Sequence, residues 1–329
     1  MSLLDIFLTL DVPQTENPKL FNAVQLDDFP FAKVGINHIG YPVILISSKV
    51  DRTNSIRKNI ILKYIELAHE LECKISENGR IEYANYTIVV FKSNSDLLLK
   101  YFFSILSSLL ASLEGKPTQI QISDSFKGFV EILRCLSDNP TKTSQGLWAE
   151  LLLIEQSKNP EVLINYWHNM PGEKFDFNAD TQKVEVKSSA QLERIHIFTS
   201  EQVNPENHAQ VIVASVFTKQ TSTGLDIMDL IKRIEKRVFD VLLIAKLYRI
   251  VGKTLGSALE QATRVKYDYE LGKKSLRFYA HQDISKVERI SIPDRVSEVK
   301  FKSDLTFIDP IDAHLIRSNK LGKLFEAIL

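Results

Sequence analysis

The sequence predicts a mixed α/β fold (an α/β or α+β arrangement), and three observations predict it. Residues 95–113 place Leu98, Phe102, Ile105, Leu106, Leu109 and Leu113 at spacings of three and four, the period of a helix with one apolar face. Between residues 174 and 217 lie four short runs, KFDFN, KVEVKSS, RIHIFTS and QVIVASVF, whose alternation and β-branched content suit strands. Helical text resumes from Leu225 to Leu247. The order helix, strands, helix across 118–247 marks an α/β core.

The elements before and after that core are mixed. Pro42 to Ser48 and Tyr86 to Phe91 are short β-branched runs and predict strands. Ile61, Ile65, Ala68 and Leu71 share one side of a helical wheel, so Ile60 to Leu71 predicts a helix. Gly115 and Pro117 stop the 95–113 helix and suggest a boundary. Further helices are expected at about 124–137 and from Gly146 to Gln156, and residues 274–309 read as short strands. Three regions follow: an N-terminal α/β region at 1–117, the core at 118–255 and a strand-rich C-terminal region at 256–329.

Composition limits the function classes. The chain has 329 residues, which at roughly 100–200 residues per domain suggests two domains or one elaborated domain. It is 44% hydrophobic and 25% charged, enough to bury a core. Lys plus Arg and Asp plus Glu both total 41, which excludes a whole-chain basic field but leaves room for a local basic face. Cys73 and Cys135 form neither a CxxC pair nor a disulfide framework and read as reduced, core-packed thiols. The first residues carry Asp5 and Asp11, unlike a secretory signal, and no stretch approaches the ~20 apolar residues of a membrane span. A soluble, cytoplasmic protein with no membrane association is expected.

Several motifs are set aside. Gly252-Lys253-Thr254 resembles the end of a phosphate-binding loop, but position 247 is Leu where the pattern needs glycine, and the preceding text is helical. The seven histidines include neither HxxxH nor HExxH. Lys232, Arg233, Lys236 and Arg237, continuing to Lys246, Arg249 and Lys253, read as a solvated helix face first and a phosphate-contacting face second.

The segment that carries chemistry is 146–202. A turn at Asn178-Ala179-Asp180-Thr181 folds two runs into a hairpin. Centred between Asp180 and Thr181, it sets Phe177 against Val184, Phe175 against Val186 and Asp176 against Glu185, with apolar pairs on one face and acids on the other. Opposed carboxylates ~5 Å apart repel by ~3 kcal/mol at an effective dielectric of ~20. A divalent cation, Mg2+ or Mn2+, resolves the repulsion. Lys187, two residues from Glu185, shares its face and can stabilise charge on a phosphate under attack. Glu150 lies within the apolar stripe of Leu147, Leu151 and Ile154, so this inward carboxylate needs a partner and could reach the same ion. Gln202 follows the third strand. His196 could touch phosphate, a structural role being the plainer reading, and His168 is a loop candidate with no assigned role. Trp148 and Trp167 read as core or interface residues.

The bare pattern acid-x-Lys is weak, because it also starts at Glu72, Glu114 and Glu298. Glu298-Val299-Lys300 follows Asp294 too closely for two paired strands, and Glu72 and Glu114 each fall at the end of an expected helix. Only Glu185 has the hairpin, the upstream aspartate and the helix-borne glutamate.

These residues, QGLWAELLLIEQ, then FDF, VEVKSS and IHIFTSEQV, resemble the PD-(D/E)XK nuclease superfamily. They are closer still to a bacterial family of PD-(D/E)XK motif proteins found among restriction-modification and phage-defence genes. The resemblance implies a restriction-endonuclease-like core, a mixed β-sheet flanked by helices, within residues 118–255. It implies Asp176 and Glu185 as metal-binding acids, Lys187 as the catalytic lysine, Glu150 as the helix acid and Gln202 as the polar residue after the third strand. It further implies a Mg2+-dependent (or Mn2+-dependent) DNA endonuclease acting on double-stranded DNA. Phe175 stands where the pattern's proline would be. A non-cleaving subunit that docks an ATPase, helicase or methyltransferase stays open. So do a homodimer, since one such site cuts one strand, and an RNA or single-stranded substrate.

Overall fold

The computed structural model describes residues 2–14, 17, 19–49, 59–77, 79–113, 115–136, 138–168, 173–206, 208–312 and 322–329, without the side chains at 96, 97, 129, 132, 133 and 135. It forms two compact units, Met1–Asn139 and Pro140–Leu329. Helices and strands are both abundant, as an α/β chain requires. Among the described residues no helix is long and apolar enough to cross a membrane.

The first unit contains helix α1 (Leu3–Phe7), strands β1 (Leu20–Gln25), β2 (Ala32–Ile36), β3 (Pro42–Ile46), β4 (Ile60–Ile61), β5 (Ile65–Glu77) and β6 (Arg80–Phe91), and helices α2 (Asp96–Ala111) and α3 (Gln119–Cys135). The sheet order is β1-β2-β3-β6-β5-β4, and β1 also pairs in parallel with β5. That extra pairing closes five strands into a barrel. Its interior holds Phe21, Ala23, Val43, Leu45, Cys73, Ile75, Tyr86 and Ile88. Cys73 is a free, buried thiol, pushed up to about 11 by burial. Cys135's side chain lies outside the described residues.

The helix read at Ile60 to Leu71 is corrected here: those residues belong to β4 and β5. The pairing of β5 with β6 shifts between Ala68 and Leu71, and Glu70 takes a φ of 54°. The β4–β5 turn separates Ile61 from Ile65 and this bulge separates Ala68 from Leu71, so the four residues mimic helical spacing across two strands. The Glu72-Cys73-Lys74 triplet consequently lies on a strand, not at a helix end. Its central Cys73 faces the barrel core, so Glu72 and Lys74 point outward, where Lys74 lies over the Tyr83 ring. Glu114 lies outside the described residues.

The second unit contains α4 (Ser144–Gln156), α5 (Pro160–Tyr166), β7 (Phe177–Ala179), β8 (Gln182–Ser189), β9 (Ile195–Thr199), α6 (Ser200–Val203), β10 (Gln210–Phe217), β11 (Gln220–Leu225), α7 (Ile227–Glu235), α8 (Val241–Leu255), α9 (Leu259–Ala262), α10 (Tyr269–Ser275), β12 (Arg277–Ala280), β13 (Lys300–Asp304) and α11 (Lys323–Ile328). Its main sheet has the order β12-β10-β8-β7. β10 runs parallel to β8 and antiparallel to β12, while β7 is antiparallel to β8, so the sheet is mixed. β9 pairs with β13 in a separate two-stranded ladder. Two strands from the C-terminal third therefore complete sheets begun in the core.

Helix α4 is the centre of this unit. Every residue from Leu147 to Glu155 is buried, the burial of a helix packed on all sides. Thr143 caps its start by accepting from Gly146 N–H, and Trp148 Nε1 donates to the Leu225 carbonyl. The continuous helix expected from Leu225 to Leu247 is instead two, α7 and α8. The break is stabilised by Asp240, whose side chain accepts from Leu242 N–H, and by Glu161, which accepts from the N–H groups of Phe239 and Asp240. Gly224 is required by close approach: a Cβ there would lie 2.0 Å from the Tyr267 carbonyl oxygen.

Part of the basic stripe makes fixed contacts from an exposed or half-buried position. Arg237 donates to the carbonyls of Glu155 and Ser157 at the end of α4, and Arg233 lies 3.8 Å from the Glu155 carboxylate. Lys246 donates to the Asn165 carbonyl. These cations terminate or join helices. Gly252-Lys253-Thr254 sits on α8, not in a loop.

Candidate functional site

The site is assembled from α4, the loop after α5, the β7–β8 hairpin and α6. The hairpin register is Phe177 opposite Val184, Asn178 opposite Lys183 and Ala179 opposite Gln182, centred as the alternation requires. The ladder ends at Phe177, so Asp176 stands just outside it. There its Oδ2 accepts from Val186 N–H at 2.8 Å, taking the place of a ladder carbonyl. Phe177 and Val184 are fully buried on the apolar face.

On β8, Glu185 and Lys187 share a face, as a period of two dictates, and Lys187 Nζ lies 2.8 Å from Glu185 Oε1. Gln202 holds both: its Nε2 donates to Glu185 Oε1 at 2.7 Å, and its Oε1 accepts from Lys187 Nζ at 3.1 Å. Gln202 is itself fixed, because Oε1 also accepts from Thr199 N–H in the capping box that starts α6. His196, on the inward side of β9, accepts or donates at Ser215 Oγ (2.8 Å) and is pushed down to about 4 by burial and by Lys187. That is a structural histidine.

Glu150 projects from the middle of α4 and is buried. Its Oε1 accepts from Lys142 Nζ at 2.6 Å and its Oε2 from Trp167 Nε1 at 2.7 Å. Lys142 Nζ also reaches Asp176 Oδ1 at 2.5 Å, so one ammonium bridges two buried acids. His168 donates its backbone N–H to the Asp176 carbonyl, and its ring Nε2 stands 3.5 Å from Glu150 Oε2. That nitrogen is buried and makes no hydrogen bond among the described residues.

The structure thus brings Glu150 and Asp176 onto one cation and gathers Glu185, Lys187 and Gln202 into one hydrogen-bonded group. The two sets are joined through the Asp176–Val186 bond and by charge. Three residues were missed or left without a role: Lys142, Trp167 and His168. Lys142 lies two residues before α4 in a polar loop without a motif. A search for the cation that a buried Glu150 must have would have pointed to the loop at its helix start. Trp167 carried a signal as well, since a buried indole N–H seeks an acceptor.

Protonation follows the local charges. Burial, then the nearby Asp176 carboxylate, pushes Glu185 up to about 8 despite Lys187. Asp176 is raised by burial and by Glu150 beside it. Burial also opposes ionisation of Glu150, but Lys142 and His168 outweigh it and hold Glu150 below its usual range. The same two acids raise Lys142 against the effect of burial. Displaced pKa values of both signs within one cluster are a mark of functional sites.

The donor set fits a divalent cation. Glu150, His168 and Asp176 each offer one ligand atom, and these atoms lie within 4.8 Å of one another. Two carboxylates suit Mg2+ or Mn2+, and an imidazole nitrogen that makes no hydrogen bond among the described residues suits Mn2+ better than Mg2+.

A glutamate on a helix, an aspartate entering a hairpin and Glu-Val-Lys on its second strand, all against a mixed sheet, are the pattern of PD-(D/E)XK proteins, a class that generally comprises nucleases and typically uses divalent metals. Over residues 15–306 the chain matches the family model DUF4420, described as "Putative PD-(D/E)XK family member", and it belongs to that family. No curated protein and no solved structure matches it significantly.

Proposed function

We propose that the chain is a metal-dependent deoxyribonuclease whose site is Asp176, Glu185, Lys187, Glu150 and Gln202. The carrying observation is the Glu185–Lys187–Gln202 group standing beside two further buried acids, Asp176 and Glu150. Acids buried this deeply cost several kcal/mol to ionise unless a cation shares them, and a solvated sheet face would show no such burial. Mg2+ or Mn2+, when bound, supplies Lewis-acid activation of water and of the phosphodiester. Asp176, Glu185 and Glu150 would hold the ion, with His168 as a further donor. Lys187 would meet charge developing on the phosphate, and Gln202 would fix both its ammonium and the Glu185 carboxylate in place.

Double-stranded DNA as substrate, a role in a restriction-modification or phage-defence system and a cytoplasmic location belong to this reading. A homodimer would supply the second site needed to cut both strands. One observation favours a second reading, a non-cleaving subunit that docks an ATPase, helicase or methyltransferase: the Lys142 ammonium already satisfies Glu150 and Asp176. Incubation with plasmid, phage and methylated DNA in Mg2+ or Mn2+ separates the two. Cleavage lost in chelator and in Asp176→Asn supports the nuclease. Intact DNA with every metal and substrate supports the subunit.

A further inference from the structure

We propose that Lys142 is a tethered counter-cation for the Glu150–Asp176 pair, occupying the position a divalent ion would take and displaced by it, so that metal loading is an exchange of one ammonium for one dication. The inference rests on the reading that this cluster holds a metal.

The geometry carries it. Lys142 Nζ lies 2.6 Å from Glu150 Oε1 and 2.5 Å from Asp176 Oδ1, so it touches one oxygen of each acid. Those same two acids belong to the trio whose ligand atoms converge within 4.8 Å. A cation between them and the ammonium cannot both occupy that space. The other oxygens have neutral partners fixed by the fold: Glu150 Oε2 accepts from Trp167 Nε1, and Asp176 Oδ2 accepts from Val186 N–H. The oxygens facing Lys142 are the ones whose partner is a cation on a movable side chain, and so the ones that exchange can free.

Lys142 is held in place by its backbone neighbours. Thr141 donates its N–H to the Thr254 carbonyl at 2.9 Å, and Thr143 is the N-cap of α4. The side chain is 31% exposed while Glu150 is 3% and Asp176 10%, so the ammonium alone has a route outward. One positive charge against two carboxylates leaves the pair one charge short of neutral, and a dication supplies the difference. An internal ammonium also lets the acids stay folded and ionised before metal arrives, at the cost of weaker metal binding.

The test is calorimetric titration of the full chain with Mn2+ alone, without DNA, for wild type, Lys142→Met and Lys142→Arg. Methionine keeps the length and removes the charge; arginine keeps the charge. The inference expects Lys142→Met to bind Mn2+ about tenfold more tightly than wild type, the scale of one charge-assisted contact removed from competition. Lys142→Arg should remain near wild type or weaker. Thermal melts give a second readout: without metal Lys142→Met melts lower than wild type, and Mn2+ raises its melting temperature by more. Equal or weaker binding by Lys142→Met would overturn the inference and leave the metal site standing. No Mn2+ binding by either protein would remove the metal site itself. Should Lys142→Met fail to fold, a structure of the wild type with Mn2+ decides. Nζ released from both carboxylates supports exchange, and Nζ still bridging them overturns it.

Discussion

Trp167 Nε1 donates a 2.7 Å hydrogen bond to Glu150 Oε2, tying the residue after α5 to the middle of α4. The indole also stacks on Phe177, with ring centroids 6.3 Å apart and planes 16° from parallel. One side chain thus joins the helix acid to the hairpin that carries the other acids. Trp167→Phe keeps an aromatic ring and removes the donor. It should destabilise the protein by about 1–3 kcal/mol in urea unfolding, the cost of leaving a buried carboxylate oxygen without its partner. A change below about 0.5 kcal/mol would show that this bond does not anchor Glu150.

Arg194 is a buried cation with no salt bridge among the described residues. It donates to the Ser215 carbonyl and hydroxyl and to the Ser275 carbonyl, and it lies over the Phe217 ring. Its backbone leads into β9, so it ties the β9–β13 ladder to β10 and α10. Arg194→Met should cost about 2–4 kcal/mol, because several buried acceptors lose a charged donor. Chemical denaturation measures it, and a loss of only a few tenths would remove the latch.

Glu185 predicts an inverted pH dependence for the metal-free protein. Its folded value is raised from 4.5 to about 8 by burial and by Asp176, so the folded state keeps a proton that the unfolded chain releases. Its stabilising contribution is present below 4.5 and is lost as pH rises toward 8. Glu150, held low, acts in the opposite sense and loses its contribution only at more acid pH. Glu185→Gln, which mimics the protonated side chain, should flatten the decline across that window. Denaturation midpoints of both proteins through the window check this, and parallel curves would contradict it.

Sequence alone revealed the hairpin well and its surroundings poorly. Alternation of Phe175 and Phe177 with Asp176, and of Val184 and Val186 with Glu185, fixed which residues could share a face, and Phe177 does pair with Val184. Local period carries that information. The bulge at Ala68–Leu71 was hidden because one extra residue turns a strand's period into a helix-like spacing. Lys142 was hidden for another reason. Its partners lie eight and thirty-four residues away, and nothing local marks a loop lysine as internal. Likewise, β12 pairing with β10 joins segments that no short-range pattern connects.

The most direct measurement is Mn2+- or Mg2+-dependent cleavage of plasmid DNA by wild type and Lys187→Ala, with DNA affinity measured on both. Lys187 contacts Glu185 and Gln202 at the edge of the acid cluster. The expected result is cleavage by wild type and a loss of at least ~100-fold in Lys187→Ala with DNA affinity nearly unchanged, the scale of removing one group that stabilises transition-state charge. Undiminished cleavage by Lys187→Ala would contradict the assignment of this cluster as the reacting site.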